Sequence, residues 1–271
     1  DSALGRQRRL NSVGESVLQI APNAAAAYSL RSLTGGDPKV VRVRRDTDGG
    51  AGDNDEQDFT ASGISSGALV AFVGSGNDGF VETWYDQSGN GKDATQATAA
   101  SQPKIVSAGS LLNKLDFDGT ANRLDIDFGS NLSQPNSIFM VHQSSTTLGA
   151  KNEFFDELGN TGQRTLLDQS SANYRIFSGL SATTNFAIDA NKNLVTAIYN
   201  GASSILAKNG TAQSSLNAGT QGISSTSAIG FSEGTTAYYQ GSMREFIIYN
   251  SDQTANRVAL ETNINSQYSI F

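Results

Sequence analysis

The stretch LVTAIYNGASSILAKNGTAQ (residues 194–213) decides how this chain folds. Two runs of β-branched and apolar residues flank Asn200-Gly201, and a second Asn-Gly follows at 209–210. Asn-Gly supplies the two positive-φ residues that a tight hairpin demands, so the stretch predicts an antiparallel meander. Working outward, short β-rich runs recur from Phe80 onward, among them FVETWYD, KLDFDG, RLDIDF, SIFMVHQ, EFFDEL, RTLLDQ, YRIFSG and MREFIIYN. Gly, Asn, Ser and Asp turns separate them. Short strands at this spacing build a sandwich or barrel, and no strand–helix alternation suggests a parallel sheet. The expectation is an all-β, antiparallel two-sheet sandwich with a few short peripheral helices.

The N-terminal side reads differently. Residues 1–21 carry Arg6, Arg8 and Arg9 without a sustained apolar period and are expected to be a docking arm, set on this domain or on a neighbouring protein subunit. The domain proper is placed at 22–271. PNAAAAYSLRSL (22–33) reads as a helix, because alanine is the best helix former. KVVRVRRD (39–46) alternates as a strand with Arg42, Arg44 and Arg45 toward a polar face, and SSGALVAFVG (65–74) reads as a short helix closed by glycine. The C-terminal SDQTANRVALETNINSQYSIF reads as a helix opened by Ser251 or Asp252. No internal repeat is present.

Composition excludes several classes of function. The 271 residues hold 19 basic and 26 acidic side chains, for a net charge of −7, which leaves no electrostatic footprint for nucleic acid. There is no cysteine, hence no disulfide or thiolate metal site. No apolar run reaches the ~18 residues that span a bilayer. The sequence starts at Asp1, which is expected of a processed form or an excised piece.

TWYDQSGNGKDATQ (83–96) could be a metal loop, a sugar site or a demanding turn. Asp86, Ser88 and Asn90 can bond nearby backbone, and Gly89 and Gly91 supply positive φ, so a shaped turn accounts for the composition without a ligand.

The order of motifs carries a resemblance. KLDFDGTANRLDI, SIFMVHQ, the Asn-Gly meander and AIGFSEGTTAYYQGSMREFIIYN before a terminal helix resemble the concanavalin A-like, laminin-G-type jelly rolls over roughly residues 75–271. WYDQSGNGKDATQ, with AAYSLR (26–31) upstream, is similar to the catalytic domain of arabinofuranosidase B-type glycosidases; such sequences also look like bacterial and tailed-phage surface proteins. The resemblance implies a jelly roll and two catalytic carboxyl groups across the scissile bond. Anchored on IFSG, the family's nucleophile Glu falls on Asn173 and the Asp before it on Ser171; anchored on IGFSEG, its acid/base Asp falls on Ser232, one residue before Glu233. The family's vicinal cysteine pair is absent. The carboxylates left for a shifted pair are Asp156, Glu157, Asp168 and Glu233.

Other sites read from the residues are fewer. Trp84, Tyr85, Tyr238 and Tyr239 are the candidate aromatic platform for a sugar, with one of Trp84 and Tyr85 facing the core by alternation. Asp46, Asp48, Asp53 and Asp55 offer oxygen ligands for Ca²⁺, though without the terminal bidentate Glu of a calcium loop; no other cofactor is expected. His142, the only histidine, reads as a structural strand residue. With the family's carboxylates replaced, the expected function is a non-catalytic binding or structural module of a bacterial or phage surface, at the extracellular surface or in a virion and in contact with cell-surface glycans. The alternatives are an arabinofuranosidase-type glycoside hydrolase and a soluble carbohydrate-binding module.

Overall fold

The structure, a computed structural model, describes residues 14–47, 55–145, 152–159, 162–170, 172–233 and 237–271. The chain is predominantly β. Its strands are β1 (Ala26–Ser29), β2 (Lys39–Asp46), β3 (Glu56–Thr60), β4 (Asp78–Trp84), β5 (Ala94–Thr95), β6 (Lys104–Ser107), β7 (Ser110–Asp118), β8 (Leu124–Asp127), β9 (Asn136–Ser144) and β10 (Phe155–Glu157). They continue as β11 (Leu166–Ser170), β12 (Asn173–Phe177), β13 (Ser181–Ala187), β14 (Lys192–Tyr199), β15 (Ser204–Lys208), β16 (Thr211–Leu216), β17 (Thr226–Ile229), β18 (Phe231–Ser232), β19 (Ala237–Tyr238) and β20 (Gln240–Tyr249). Every pairing between them is antiparallel. One run goes β3–β2–β4–β6–β7–β20–β9–β14–β15–β16, with β1 sharing the edge of β20 that β7 leaves free. A second run, β5–β8–β17–β10–β11–β12–β13, joins the first where β5 pairs β4, and the whole is nearly barrel-like.

The predicted meander is β14–β15–β16. Asn209 at φ 50° and Gly210 at φ 81° form its second turn, and Gly201–Ser203 bridge the first as a short 3-10 turn. β9 and β14 are buried almost throughout because both their faces are covered. Ile138, Met140, Val195 and Ala197 enter the main core, while Phe139, Val141 and Leu194 enter a second core beneath the C-terminal helix. Phe155 of β10 meets Phe246 of β20 across the main core, ring centroids 5.6 Å apart.

Two helical expectations are corrected. Residues 22–33 do not form a helix: Asn23 sits at φ 68°, and Ala26–Ser29 pair with Ile248–Glu245 as a fully buried strand. Small side chains are needed there because Ala26 and Tyr28 enter the main core while Ala27 enters the second, so packing on both faces overrides intrinsic propensity. The 83–96 stretch completes the strand's setting. Asp86 Oδ1 accepts from the Ala27 and Ser88 N–H groups at 2.9 and 2.8 Å, Gln87 Oε1 accepts from Leu33 N–H at 2.7 Å, and Asn90 Nδ2 donates to the Ala24 carbonyl at 2.8 Å. Gly89 and Gly91 take φ 88° and 66°. The loop is a clamp on β1.

The C-terminal helix begins at Arg257 with Asn256 before it, not at Ser251 or Asp252, because Asp252 closes a turn on Thr254 N–H at 2.8 Å. The short helices are α1 (Val17–Ile20), α2 (Ala61–Ser65), α3 (Ala68–Val73) and α4 (Arg257–Tyr268). α3 ends on Gly74 at φ 85°, as the sequence requires. Residues 14–21 pack on their own chain: Val17 and Ala21 lie in the second core with Leu260 and Ile264 of α4, and Asn263 Nδ2 donates to the Glu15 carbonyl at 2.6 Å. The rest of the expected arm, residues 1–13, lies outside the described residues. No helix among the described residues is long and apolar enough to cross a membrane.

Candidate active site

Strand alternation assembles this site. Phe155, Leu167, Tyr174 and Ile176 turn into the main core. Their neighbours Asp156, Asp168, Arg175 and Asn173 therefore stand on the opposite face of β10, β11 and β12. Phe155 pairs with Leu167, which places Asp156 and Asp168 diagonally across adjacent strands; Asp168 lies directly opposite Arg175, and Asn173 opposite Ser170.

Both carboxylates are buried and both are held by an arginine fork. Asp156 is 0% exposed and Asp168 2%. Arg164 donates Nε–H to Asp156 Oδ1 at 2.9 Å and Nη2–H to Oδ2 at 2.6 Å. Ser232 Oγ donates to Oδ2 at 2.9 Å, and the Glu157 N–H donates to Oδ1 at 2.8 Å. Four donors thus converge on this one carboxyl. Arg175 donates Nε–H to Asp168 Oδ1 at 2.7 Å and Nη2–H to Oδ2. Burial raises the Asp168 carboxyl above the usual carboxylate range against the pull of Arg175, and the charge of Asp156 pushes it the same way. The guanidinium of Arg164 lies over Phe177, 5.5 Å from the ring centroid, and feels Asp156, Glu157 and Asp168 together. The arrangement is two carboxyl groups on one face, with Asp168 raised by burial and by the charge of Asp156.

The residues expected from sequence distribute unevenly around this centre. Ser232, on β18, bonds Asp156 directly, and Asn173 shares the face of Asp168; the two positions aligned with the family's catalytic carboxylates thus border the two carboxylates present. Ser171 lies outside the described residues. Glu157 is buried but alternates away from Asp156, and Glu233 is exposed on the turn after β18. Arg164 and Arg175 were not singled out from sequence. A signal existed: in RTLLDQSSANYRIF (164–177), Asp168 and Arg175 stand at mirror positions about the hairpin turn, where opposite charges face one another.

The expected sugar platform is not assembled. Trp84 and Tyr239 are both 0% exposed and belong to the main core, so neither presents a ring face to a ligand. Trp84 stacks near Tyr28, centroids 5.6 Å apart. Tyr85 is half-buried and donates its hydroxyl to Asp58 Oδ1 at 2.7 Å; burial, then Asp58, push its phenol up to about 12. Tyr238 is half-buried against Phe231, centroids 4.9 Å apart. His142 is fully buried, with Nε2 2.8 Å from the Tyr174 hydroxyl and Nδ1 3.3 Å from that of Tyr239. Of the acidic loop, Asp48 and Asp53 lie outside the described residues, Asp55 is paired with Arg45 at 2.7 Å, and Asp46 stands opposite Asp78. Among the described residues no three His, Asp or Glu side chains gather as metal ligands.

No protein-family pattern and no curated protein matches the sequence. Solved structures do match the fold. An arabinofuranosidase complexed with arabinofuranosyl-α-1,2-xylobiose superposes with a TM-score of 0.62 at 13% identity, covering 91% of this chain and 64% of that one. A Glu-to-Gln mutant of a GH54 α-L-arabinofuranosidase soaked with 4-nitrophenyl α-L-arabinofuranoside gives 0.60 at 14% identity, and the same type of enzyme soaked with a cyclic sulfate inhibitor gives 0.59 at 14%, with the same coverage. The chain spans just under two thirds of the length of these structures. At such identity the likeness is one of fold, an all-β sandwich or barrel of glycosidase type. It corrects the expectation of a non-catalytic fibre, decoration or adhesion module: arabinofuranosidases share the fold over nine tenths of the chain.

Proposed function

We propose that the chain is a glycoside hydrolase of arabinofuranosidase type, on a concanavalin A-like two-sheet jelly roll, with Asp156 and Asp168 as its carboxylate pair. One observation carries this reading: two buried carboxyl groups stand diagonally on one face of adjacent strands, and burial and the charge of Asp156 raise Asp168. Glycoside hydrolysis needs one carboxyl group as acid and one as nucleophile or base, and environments that set two such groups apart assign the roles. Asp168, raised by burial, keeps a proton for the departing glycosidic oxygen. Asp156 is the partner that attacks the anomeric carbon or activates water. The arginine forks fix the orientation of both carboxyl groups. The match to arabinofuranosidases supports an arabinofuranoside as substrate.

The test compares two substrates. 4-Nitrophenolate leaves readily without a proton, whereas the oxygen of an arabinosyl-xylobiose does not. Asp156→Asn is expected to abolish turnover of both, while Asp168→Asn depresses the oligosaccharide far more than 4-nitrophenyl α-L-arabinofuranoside. Absence of turnover by the unaltered protein across a panel of aryl glycosides would falsify the reading.

A further inference from the structure

A second site stands on other strands. Arg44 of β2 pairs in register with Phe80 of β4, Phe80 with Lys104 of β6, and Lys104 with Asp116 of β7. Their neighbours Val43, Val81, Ile105 and Leu115 point into the main core, so the four form one row on the outer face. The row floors a cavity of about 640 Å³, bordered by Ala100, Gln102 and Asn122, within the range of small-molecule sites.

Charges in this row are matched, with one exception. Lys104 pairs with Asp78 at 2.6 Å, Asp116 with Lys114 at 3.3 Å, and Asp118, at the rim, accepts the Thr120, Ala121 and Asn122 N–H groups of its own turn. Arg44 is only 6% exposed, yet among the described residues it has no carboxylate partner. Among the described residues its side chain makes one hydrogen bond, from Nε to the neutral Gln102 Oε1 at 2.9 Å, and its guanidinium lies 4.9 Å from the Phe80 ring centroid. Its terminal nitrogens are left to the cavity. Burying a charge without a counter-charge is costly, and a guanidinium fork is shaped to receive a carboxylate. Phe80 and Asn122 add apolar and polar lining of the kind that a sugar ring uses.

We propose that this cavity is a binding site for a carboxylate-bearing saccharide, a uronate unit of a glycan, with Arg44 as the residue that receives its carboxylate. The site is separate from the Asp156–Asp168 face and does not depend on catalysis there.

Calorimetric titration of the full chain tests it, with tetragalacturonate as probe, xylotetraose as its neutral counterpart and acetate as the bare carboxylate. Saturable binding of tetragalacturonate is expected, at least tenfold tighter than either control. Arg44→Gln is expected to weaken it at least tenfold, as is Ala100→Trp, which fills the exposed mouth and spares the core. Asp168→Asn is expected to leave it unchanged, which separates this site from the proposed catalytic one. The inference is overturned if tetragalacturonate does not bind, if xylotetraose or acetate binds as tightly, or if binding disappears in Asp168→Asn. Undiminished binding in Arg44→Gln overturns it as well, and Ala100→Trp decides the matter in the same way if Arg44→Gln does not fold.

Discussion

Two regions of this molecule bury a carboxylate against an arginine fork, and they use it differently. Under α4, Arg31 donates to both oxygens of Glu245 at 2.8 and 2.9 Å, while Ser29 and Tyr268 donate to the same carboxylate at 3.0 and 3.1 Å. That carboxylate stands alone. Its arginine reaches on to Asn263 of α4 at 3.0 Å, so the network ties β1, β20 and the helix together. On β10–β12 the same fork occurs twice, on two carboxyl groups that feel each other. A single satisfied ion pair fixes geometry; a carboxyl group raised by burial beside a second carboxylate is also suited to acid–base chemistry.

The comparison breaks most sharply through activity. Asp156→Asn or Asp168→Asn should lower oligosaccharide hydrolysis per folded molecule by about 10²–10⁴-fold; equal activity of variant and parent would dissolve the contrast. In the same face, Arg175→Gln removes a positive neighbour from Asp168 and drives its carboxyl further up. The acid then stays protonated to higher pH, and the alkaline limb of the pH–rate profile should move upward. An unmoved limb would assign the proton to another group.

The α4 network predicts the converse. Arg31→Ala leaves Glu245 buried and uncompensated, at a cost of about 3–5 kcal/mol in urea unfolding, with undiminished activity per folded molecule. His142 offers a buried group held neutral. Burial, then the charges of Lys208 and Arg244, lower its imidazole to about 3. The unfolded chain binds that proton near pH 6.5, so the stability from a neutral His142 is complete above pH 6.5 and is lost as pH falls toward 3. Between pH 7 and 5 this amounts to roughly 2 kcal/mol, a slope that should vanish in His142→Gln. The smallest effect belongs to the exposed pair of Lys39 and Asp58, 2.6 Å apart with the lysine 60% exposed; Lys39→Ala should cost below about 1 kcal/mol.

Much of the frame was legible from local signals. Asn209-Gly210 forms its turn at positive φ, KVVRVRRD is a strand, and Gly74 ends its helix, because each depends on conformations that the residues themselves prefer. AAAAYS failed for the opposite reason. Nothing local makes it a strand; the free edge of β20, two cores and the Asp86–Asn90 clamp do. The site divides in the same way. Asp156 and Asp168 could be named as leftover carboxylates, and Arg175 could be read across its hairpin from Asp168, but Arg164 could not, because it reaches Asp156 only after β10 and β11 pair. Trp84 and Tyr239 looked like ligand platforms until packing placed both in the core.

The sequence by itself determined the antiparallel β class, the shaped turn at 85–91 and the lack of carboxylates at positions 173 and 232, since these follow from backbone preference and residue identity. Only the tertiary structure decided which carboxylates stand together, which arginine has no counter-charge and which aromatic rings are buried. Those properties belong to distances between strands remote in the chain, and burial sets the strength of every charge–charge interaction among them.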